Sequence, residues 1–179
     1  MAQDLSPGVT PRAYLAPLDE QDARHLYEWI NDRSLVNLSA PFHPVHAPDH
    51  EAWFTEVRRR KDIAIFGIRR TDTKELVGTC QLCAIDPVHR SAELRIRIGV
   101  ESARGIGLGQ DACRALLQHA FADLNLHRVY LYVFNSNIRA KRAYEKVGFV
   151  VEGVARHGAY INGRWEDVTA MAIVRDDGA

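Results

Sequence analysis

The stretch Arg95–Phe121, RIRIGVESARGIGLGQDACRALLQHAF, changes character twice along its length. It opens with charged and apolar residues in alternation, passes through Gly105, Gly107 and Gly109, and ends in a helical pattern. Alternation at period two describes a strand between two environments. The apolar stripe of Cys113, Leu116, Leu117, Ala120, Phe121 and Leu124 describes one face of a helix. Glycines at the junction bare the main chain just where a helix start carries partial positive charge, so the pattern predicts an anion as guest.

The flanking segments alternate between strand and helix patterns, which predicts an α/β chain. Ala13–Leu18 (AYLAPL) reads as a strand. Asp19 is placed to cap the helix EQDARHLYEWINDRS, with Ala23, Leu26, Tyr27 and Ile30 at helical spacing. A loop bearing Pro41, Pro44 and Pro48 leads to a second helix expected over Asp49–Lys61. IAIFGIRR and ELVGTCQLCAI, separated by TDTK, read as an antiparallel hairpin, and AELRIRIGV as a third strand. RVYLYVF has no polar residue after Arg128, which predicts a central strand covered on both faces. Asn137 is placed to cap IRAKRAYEKV and Gly148 to end it. The last two strands meet at Asn162-Gly163, a strong type I′ hairpin signal.

At 179 residues the chain reads as one domain over 1–179, with mobile ends expected at 1–12 and 175–179. Lys plus Arg and Asp plus Glu balance at 23 each, so bulk charge points to neither nucleic acid nor an anionic membrane as partner. Met1–Arg12 lacks the basic start and apolar run of a secretory signal, and no later stretch is apolar for long enough to span a bilayer. Three cysteines without a disulfide spacing suit a reducing compartment, and the expected localisation is cytoplasmic. Cys80 and Cys83 form a CxxC, but on a strand positions three apart face opposite ways. They are therefore expected to be core thiols, with no metal.

The glycine loop lacks the Lys-Ser/Thr ending of an NTPase phosphate loop. Its G-x-G-x-G spacing also differs from the dinucleotide G-x-G-x-x-G, and no early βαβ unit surrounds it. Arg104-Gly105-Ile106-Gly107-Leu108-Gly109, an R-x-x-G-x-G between strand and helix, resembles the pyrophosphate-binding motif of the GNAT superfamily of acyl-CoA-dependent N-acetyltransferases. Asn135–Phe149 (NSNIRAKRAYEKVGF) resembles the later N-x-x-A-x-x-x-Y-E-K-x-G-F signature of that family, and the element order is similar from about Ala13 to Val174. AELRIRIG and GRWEDVTAMAIV look most like the branch that includes ribosomal-protein N-terminal and polyamine acetyltransferases.

The resemblance implies a mixed, largely antiparallel sheet of about seven strands flanked by about four helices, acetyl-CoA as cosubstrate, and no metal. It implies that main chain at Arg104, Gly105, Ile106, Gly107, Leu108 and Gly109 cradles the coenzyme diphosphate. The pantetheine arm then follows Ile98, Gly99 and Val100, with Asn135, Asn137 and Ala140 also on the coenzyme side. Tyr144 is implied as proton donor to the departing thiolate; by helical spacing alone it reads as a packed core tyrosine. The resemblance also allows a homodimer.

Strand alternation puts Glu93, Arg95 and Arg97 together on one face, and three charges there predict a wet cleft. Glu93 is a candidate general base or a salt-bridge partner; Arg95 and Arg97 are candidates for orienting the acceptor. A lysine-like amine costs about 4–5 kcal/mol to deprotonate at pH 7, against about 1.4 kcal/mol for a peptide α-amine, so the need for a base depends on the acceptor. His43, His46 and His50 lie in the proline-rich segment without helical alignment and read as a flexible wall of the acceptor site. Trp53 and Phe54 are expected to shape the same pocket. Arg58–Lys61 (RRRK) reads as the cationic end of a helix. The expected reaction is acetyl transfer to a small-molecule or peptide amine; the alternative is a non-catalytic acyl-CoA-binding module.

Overall fold

Seven strands form one sheet: β1 (Ala13–Ala16), β2 (Ala64–Arg70), β3 (Leu76–Asp86), β4 (Ser91–Ile98), β5 (Arg128–Phe134), β6 (Val150–Ile161) and β7 (Arg164–Val174). In the computed structural model, which describes residues 11–175, their order is β1-β2-β3-β4-β5-β7-β6. Every neighbouring pair is antiparallel except β4 and β5, which run parallel. The fold is the expected mixed, largely antiparallel one. The turn between β6 and β7 has positive φ at both Asn162 (50°) and Gly163 (79°), the backbone that a type I′ turn requires.

Five helices accompany the sheet, one more than the expected four or so: α1 (Asp22–Ile30), α2 (Arg33–Val36), α3 (Ala47–Val57), α4 (Leu108–Gln118) and α5 (Ile138–Val147). The first helix does not run through to Ser34, because Asn31 and Asp32 offer their side chains to the backbone instead. Asn31 accepts from Val45 N and donates to Tyr27 O, and Asp32 caps the one-turn α2 by accepting from Ser34 N and Leu35 N. Asp19 does not occupy the N-cap itself, but its carboxylate accepts from the N–H groups of Gln21 and Asp22. Helix α3 ends at Val57, short of Lys61. There Arg58 folds back to donate to the Phe54 carbonyl at 3.0 Å and lies over the Phe54 ring.

The main core lies between one face of the sheet, through Leu82, Leu94, Val129, Leu131 and Met171, and the apolar stripe of α4. A smaller cluster of Leu18, Leu26, Phe54 and Leu76 joins α1 and α3 to the other face. That second layer does not reach β5, so the expectation that β5 is covered on both faces is wrong. Val129, Leu131 and Val133 are buried, but Tyr132, on the opposite face, is 59% exposed. The α4 stripe also stops early: the helix widens into a single π turn at His119–Asp123, leaving Leu124 partly exposed. Cys80 and Cys83 are buried free thiols on opposite faces of β3, and burial pushes the Cys83 thiol up to about 11.

Most of the two ends expected to be mobile lies outside the described residues. At their inner borders, Pro11 O accepts from Thr71 Oγ1, Arg12 N donates to Asp111 Oδ2, and Arg175 N donates to His127 O. Among the described residues no helix is long and apolar enough to cross a membrane.

Candidate active site

Strands β4 and β5 pair at only three positions, Ser91↔Arg128, Ala92↔Val129 and Glu93↔Tyr130. Beyond these, β4 stays with β3 as far as Ile98 and β5 stays with β7 as far as Phe134, so the two central strands part. A cleft of about 590 Å³ fills the wedge, with Ile96 and Ile98 on one side, Tyr132 and Val133 on the other, and α4 and α5 alongside. That volume suits a small-molecule or coenzyme site, which falls in the range of about 300–1,000 Å³.

Hydrogen bonding on β4 decides which main-chain groups serve the wedge. Gly99 N donates to Val77 O at 2.9 Å, and Val100 N donates to the same oxygen at 3.2 Å. In an antiparallel pair, bonded and non-bonded positions alternate, so the next pair, Ile98↔Gly78, turns its N–H and C=O away from β3 and toward the open side. Ile98 therefore keeps an N–H for the cleft, whereas those of Gly99 and Val100 are already engaged. Packing gives glycine at position 99 a reason of its own. A Cβ there would lie 2.0–2.5 Å from the indole of Trp29 on α1.

At the mouth of the wedge, Glu101–Ala103 form a 3₁₀ turn and the glycine loop follows. Gly105 (φ 82°) and Gly107 (φ 91°) sit in the left-handed region, and Gly107 caps α4 without a side chain. Gln110 N and Asp111 N already donate to Gly107 O. Leu108 N and Gly109 N, in the first turn, have no intrahelical acceptor. Gly105, Gly107 and Gly109 line the cleft. Leu108 buries its side chain in the core and Ile106 is partly exposed, so these two offer only main chain. Arg104 lines the cleft but reaches backward, its guanidinium donating to Ile98 O at 3.0 Å and Gly99 O at 2.8 Å, which ties the loop to the end of β4.

One cation here escaped the sequence reading. The Arg12 guanidinium leans on Gly107, where a Cβ would lie 2.4 Å from its Nη2, and pairs with Asp111 at 3.5 Å. Nothing in the local sequence links residues 12 and 107; only the packing of β1 beside α4 does. Arg139, Arg142 and Lys146 also line the cleft. Their spacing of three and four places them on one face of α5, a signal present in IRAKRAYEKV and passed over.

Helix α5 brings Asn137, Ala140 and Tyr144 to the cleft. Asn137 caps the helix by accepting from Ala140 N at 3.2 Å, and its amide donates to Leu38 O, fastening the segment after α2 across the cleft. Asn135 is not among the lining residues; its side chain accepts from Thr169 Oγ1 at 2.6 Å between β5 and β7. Tyr144 packs edge-on against Phe149. Burial first, and the neighbouring Cys113 second, hold its phenol well above the ordinary tyrosine value, so it stays protonated through the neutral range.

Glu93 sits at the apex, the last paired position before the strands part. Its carboxylate takes a bidentate pair from Arg95, with Nε–Oε1 at 2.7 Å and Nη2–Oε2 at 2.8 Å. Neither residue lines the cleft; Arg97, two positions on, does. Trp53 and Phe54 are not in the cleft wall. They stack with His50 and Tyr27 between α1 and α3, because α3 begins at Ala47 and carries His50 inward on its buried face. Among the described residues no group of three or more His, Cys, Asp or Glu side chains is placed to hold a metal ion.

Residues 12–150 match the acetyltransferase (GNAT) domain family. The chain is 40% identical over 102 residues to a spermidine N(1)-acetyltransferase of Vibrio cholerae, covering 57% of this chain and 58% of that protein. It is 31% identical over 164 residues to the spermidine N(1)-acetyltransferase of Escherichia coli K12, covering 89% and 84%. A crystal structure of spermidine N-acetyltransferase from Vibrio cholerae in complex with CoA and spermine superposes with a TM-score of 0.84 at 29% identity, over 92% of this chain and 96% of that one.

Proposed function

Because the chain belongs to the acetyltransferase (GNAT) family, we propose that it transfers the acetyl group of acetyl-CoA to the primary amine of a small molecule, the class to which spermidine belongs. The observation that carries this reading is the parting of β4 and β5 after Glu93 and Tyr130, with a positive-φ glycine loop and the free first turn of α4 at its mouth. Such a loop grips a diphosphate through N–H groups and the helix dipole. The wedge accepts an extended arm beside the unpaired edge of β4, as an added strand would lie.

Each chemical role falls to a residue of this chain. The Ile98 N–H, aimed into the wedge, donates to the thioester carbonyl oxygen as negative charge develops on it. The neutral amine attacks the carbonyl carbon, the C–S bond breaks, and the Tyr144 hydroxyl delivers its proton to the leaving sulfur. Burial keeps the phenol protonated at neutral pH, the form in which it can hydrogen-bond the sulfur. The proton lost by the amine leaves toward solvent, with Glu93 as acceptor when its hold on Arg95 loosens, and a proton from solvent restores the Tyr144 hydroxyl. Residues 11–175 act as one acyltransferase unit.

Calorimetric titration with acetyl-CoA, followed by thiol release against a panel of amines, tests this function. Saturable binding and amine-dependent thiol release are expected. Binding with no acetylated product from any amine would leave a coenzyme-binding module, and no binding would remove the coenzyme altogether.

A further inference from the structure

The charges around the cleft are all of one sign. Arg97, Arg104, Arg139, Arg142 and Lys146 line it, and among the described residues no Asp or Glu does. Four of these cations have an evident use. Arg104 is fastened to the carbonyls of Ile98 and Gly99, and the three on α5 are exposed at the rim, within the reach of an anionic coenzyme. Arg97 is different. It stands on the β4 wall of the wedge, beside Ile98 and opposite Thr79, and makes no hydrogen bond or ion pair with any described residue. Burial lowers its pKa, with no neighbouring carboxylate to oppose the effect. Desolvating a guanidinium without a partner is costly, and such a group is stabilised by any anion brought beside it.

The coenzyme does not supply that anion, because its phosphates belong at the glycine loop and its pantetheine arm and thioester are neutral. The acceptor is the remaining molecule. Two acids near the wedge are already committed, Glu93 to Arg95 and Asp32 to Ser34 N, Leu35 N and Ser34 Oγ, and Glu101, in the turn at the mouth, is exposed and does not line the cleft. Residues 37–48, which follow α2 along the same wall, contain no Asp or Glu. Along the cleft wall a polycation would meet the unpaired Arg97 and no carboxylate for its second and third ammonium groups.

We propose that Arg97 selects an acceptor carrying an anionic group, a carboxylate or phosphonate, a short distance from the amine that is acetylated. This rests on the acetyl-transfer reading above and narrows its acceptor class away from polyamines. Arg97 binds and orients the acceptor; it takes no part in the bond changes.

The test uses the full chain with saturating acetyl-CoA and ω-amino carboxylates of graded length, each set against its neutral amide and the diamine of equal length, with spermidine alongside. Products are measured by thiol release and mass spectrometry. A charge-assisted contact predicts about a 10- to 100-fold higher kcat/KM for the best carboxylate than for its amide. Arg97→Met is expected to collapse that ratio toward one, and Arg97→Lys to retain part of it. The KM for acetyl-CoA is expected to change little in either variant, a result that general disruption of the fold would not give. Thermal melts provide a second readout: removal of an unpartnered, half-buried cation leaves Arg97→Met at least as stable as the parent. Equal turnover of amide and carboxylate, preference for spermidine, or an unchanged ratio in Arg97→Met each overturns the proposal while leaving acetyl transfer standing. No turnover of any amine overturns both.

Discussion

Gly99 separates two physical reasons for a glycine at the end of β4. If a coenzyme must approach the bare backbone, Gly99→Ala keeps its stability and loses coenzyme affinity. The structure gives the other reason: a Cβ at 99 would lie 2.0 Å from Trp29 Cε2, 2.1 Å from Cδ2 and 2.5 Å from Nε1. Those atoms belong to a rigid ring that packs against the cluster of Leu18, Leu26, Phe54 and Leu76, so the ring must leave that packing or α1 and β4 must move apart. Overpacking of this kind costs about 1–3 kcal/mol, and contacts this short place it at the upper end. Replacing glycine at a backbone angle open to alanine returns about 0.4–1 kcal/mol through the unfolded chain. The net expectation is a loss of about 2 kcal/mol. For a chain of this length that lowers the Tm by about 4–8 °C. Urea and thermal unfolding of Gly99→Ala measure it directly.

Trimming the ring supplies the internal control. Trp29→Leu alone costs stability, but in its presence Gly99→Ala is expected to cost much less than in the parent, because the clash is gone. A Gly99→Ala variant within about 0.5 kcal/mol of the parent, or a double variant with purely additive losses, would refute the packing argument.

Tyr144→Phe is expected to lower kcat by about 100-fold or more where chemistry limits the rate, with little change in KM for acetyl-CoA; unchanged turnover in single-turnover kinetics would remove the phenol from the mechanism. Glu93→Gln is expected to slow acetylation of an amine of pKa near 10 about 100-fold, and of an amine near 8 less than about tenfold; an equal effect on both would leave Glu93 as the partner of Arg95 only. His50 is buried among Tyr27, Trp53 and Phe54 with no hydrogen bond to Nε2, and burial holds its pKa below the ordinary 6.5. The unfolded chain therefore takes up a proton near pH 6.5 that the folded chain resists, so stability present above pH 6.5 falls as the pH drops toward the lower folded value. His50→Leu is expected to flatten the pH 7 to 5 unfolding curve by up to about 1.4 kcal/mol per pH unit, and parallel curves for parent and variant would exclude this histidine.

What was legible in the sequence was local. Period-two runs, caps and glycines placed every strand and every helix except α2, which hangs on the side chains of Asn31 and Asp32 bonding to the backbone. The glycine loop and α5 could be read as the two walls of a site because each carries its signal within a few residues. Contacts made at long sequence separation could not be read. Arg12 reaches Gly107 only because β1 packs beside α4, and Gly99 is bare because α1 returns over β4 with Trp29. The misreading of β5 has a related cause: RVYLYVF is apolar throughout, but tyrosines tolerate solvent, and the layer of α1 and α3 ends before reaching Tyr132. His50 and Trp53 do not reach the acceptor wall because α3 turns His50 and Phe54 against α1, a long-range packing that the local pattern does not carry.

A crystal structure of the protein soaked with CoA is the most direct test. The diphosphate is expected against the main-chain N–H groups of Gly105 to Gly109, with the thiol in the wedge between Ile98 and Tyr144. Diphosphate density away from that loop, or a coenzyme arm lying outside the gap between β4 and β5, would contradict the account.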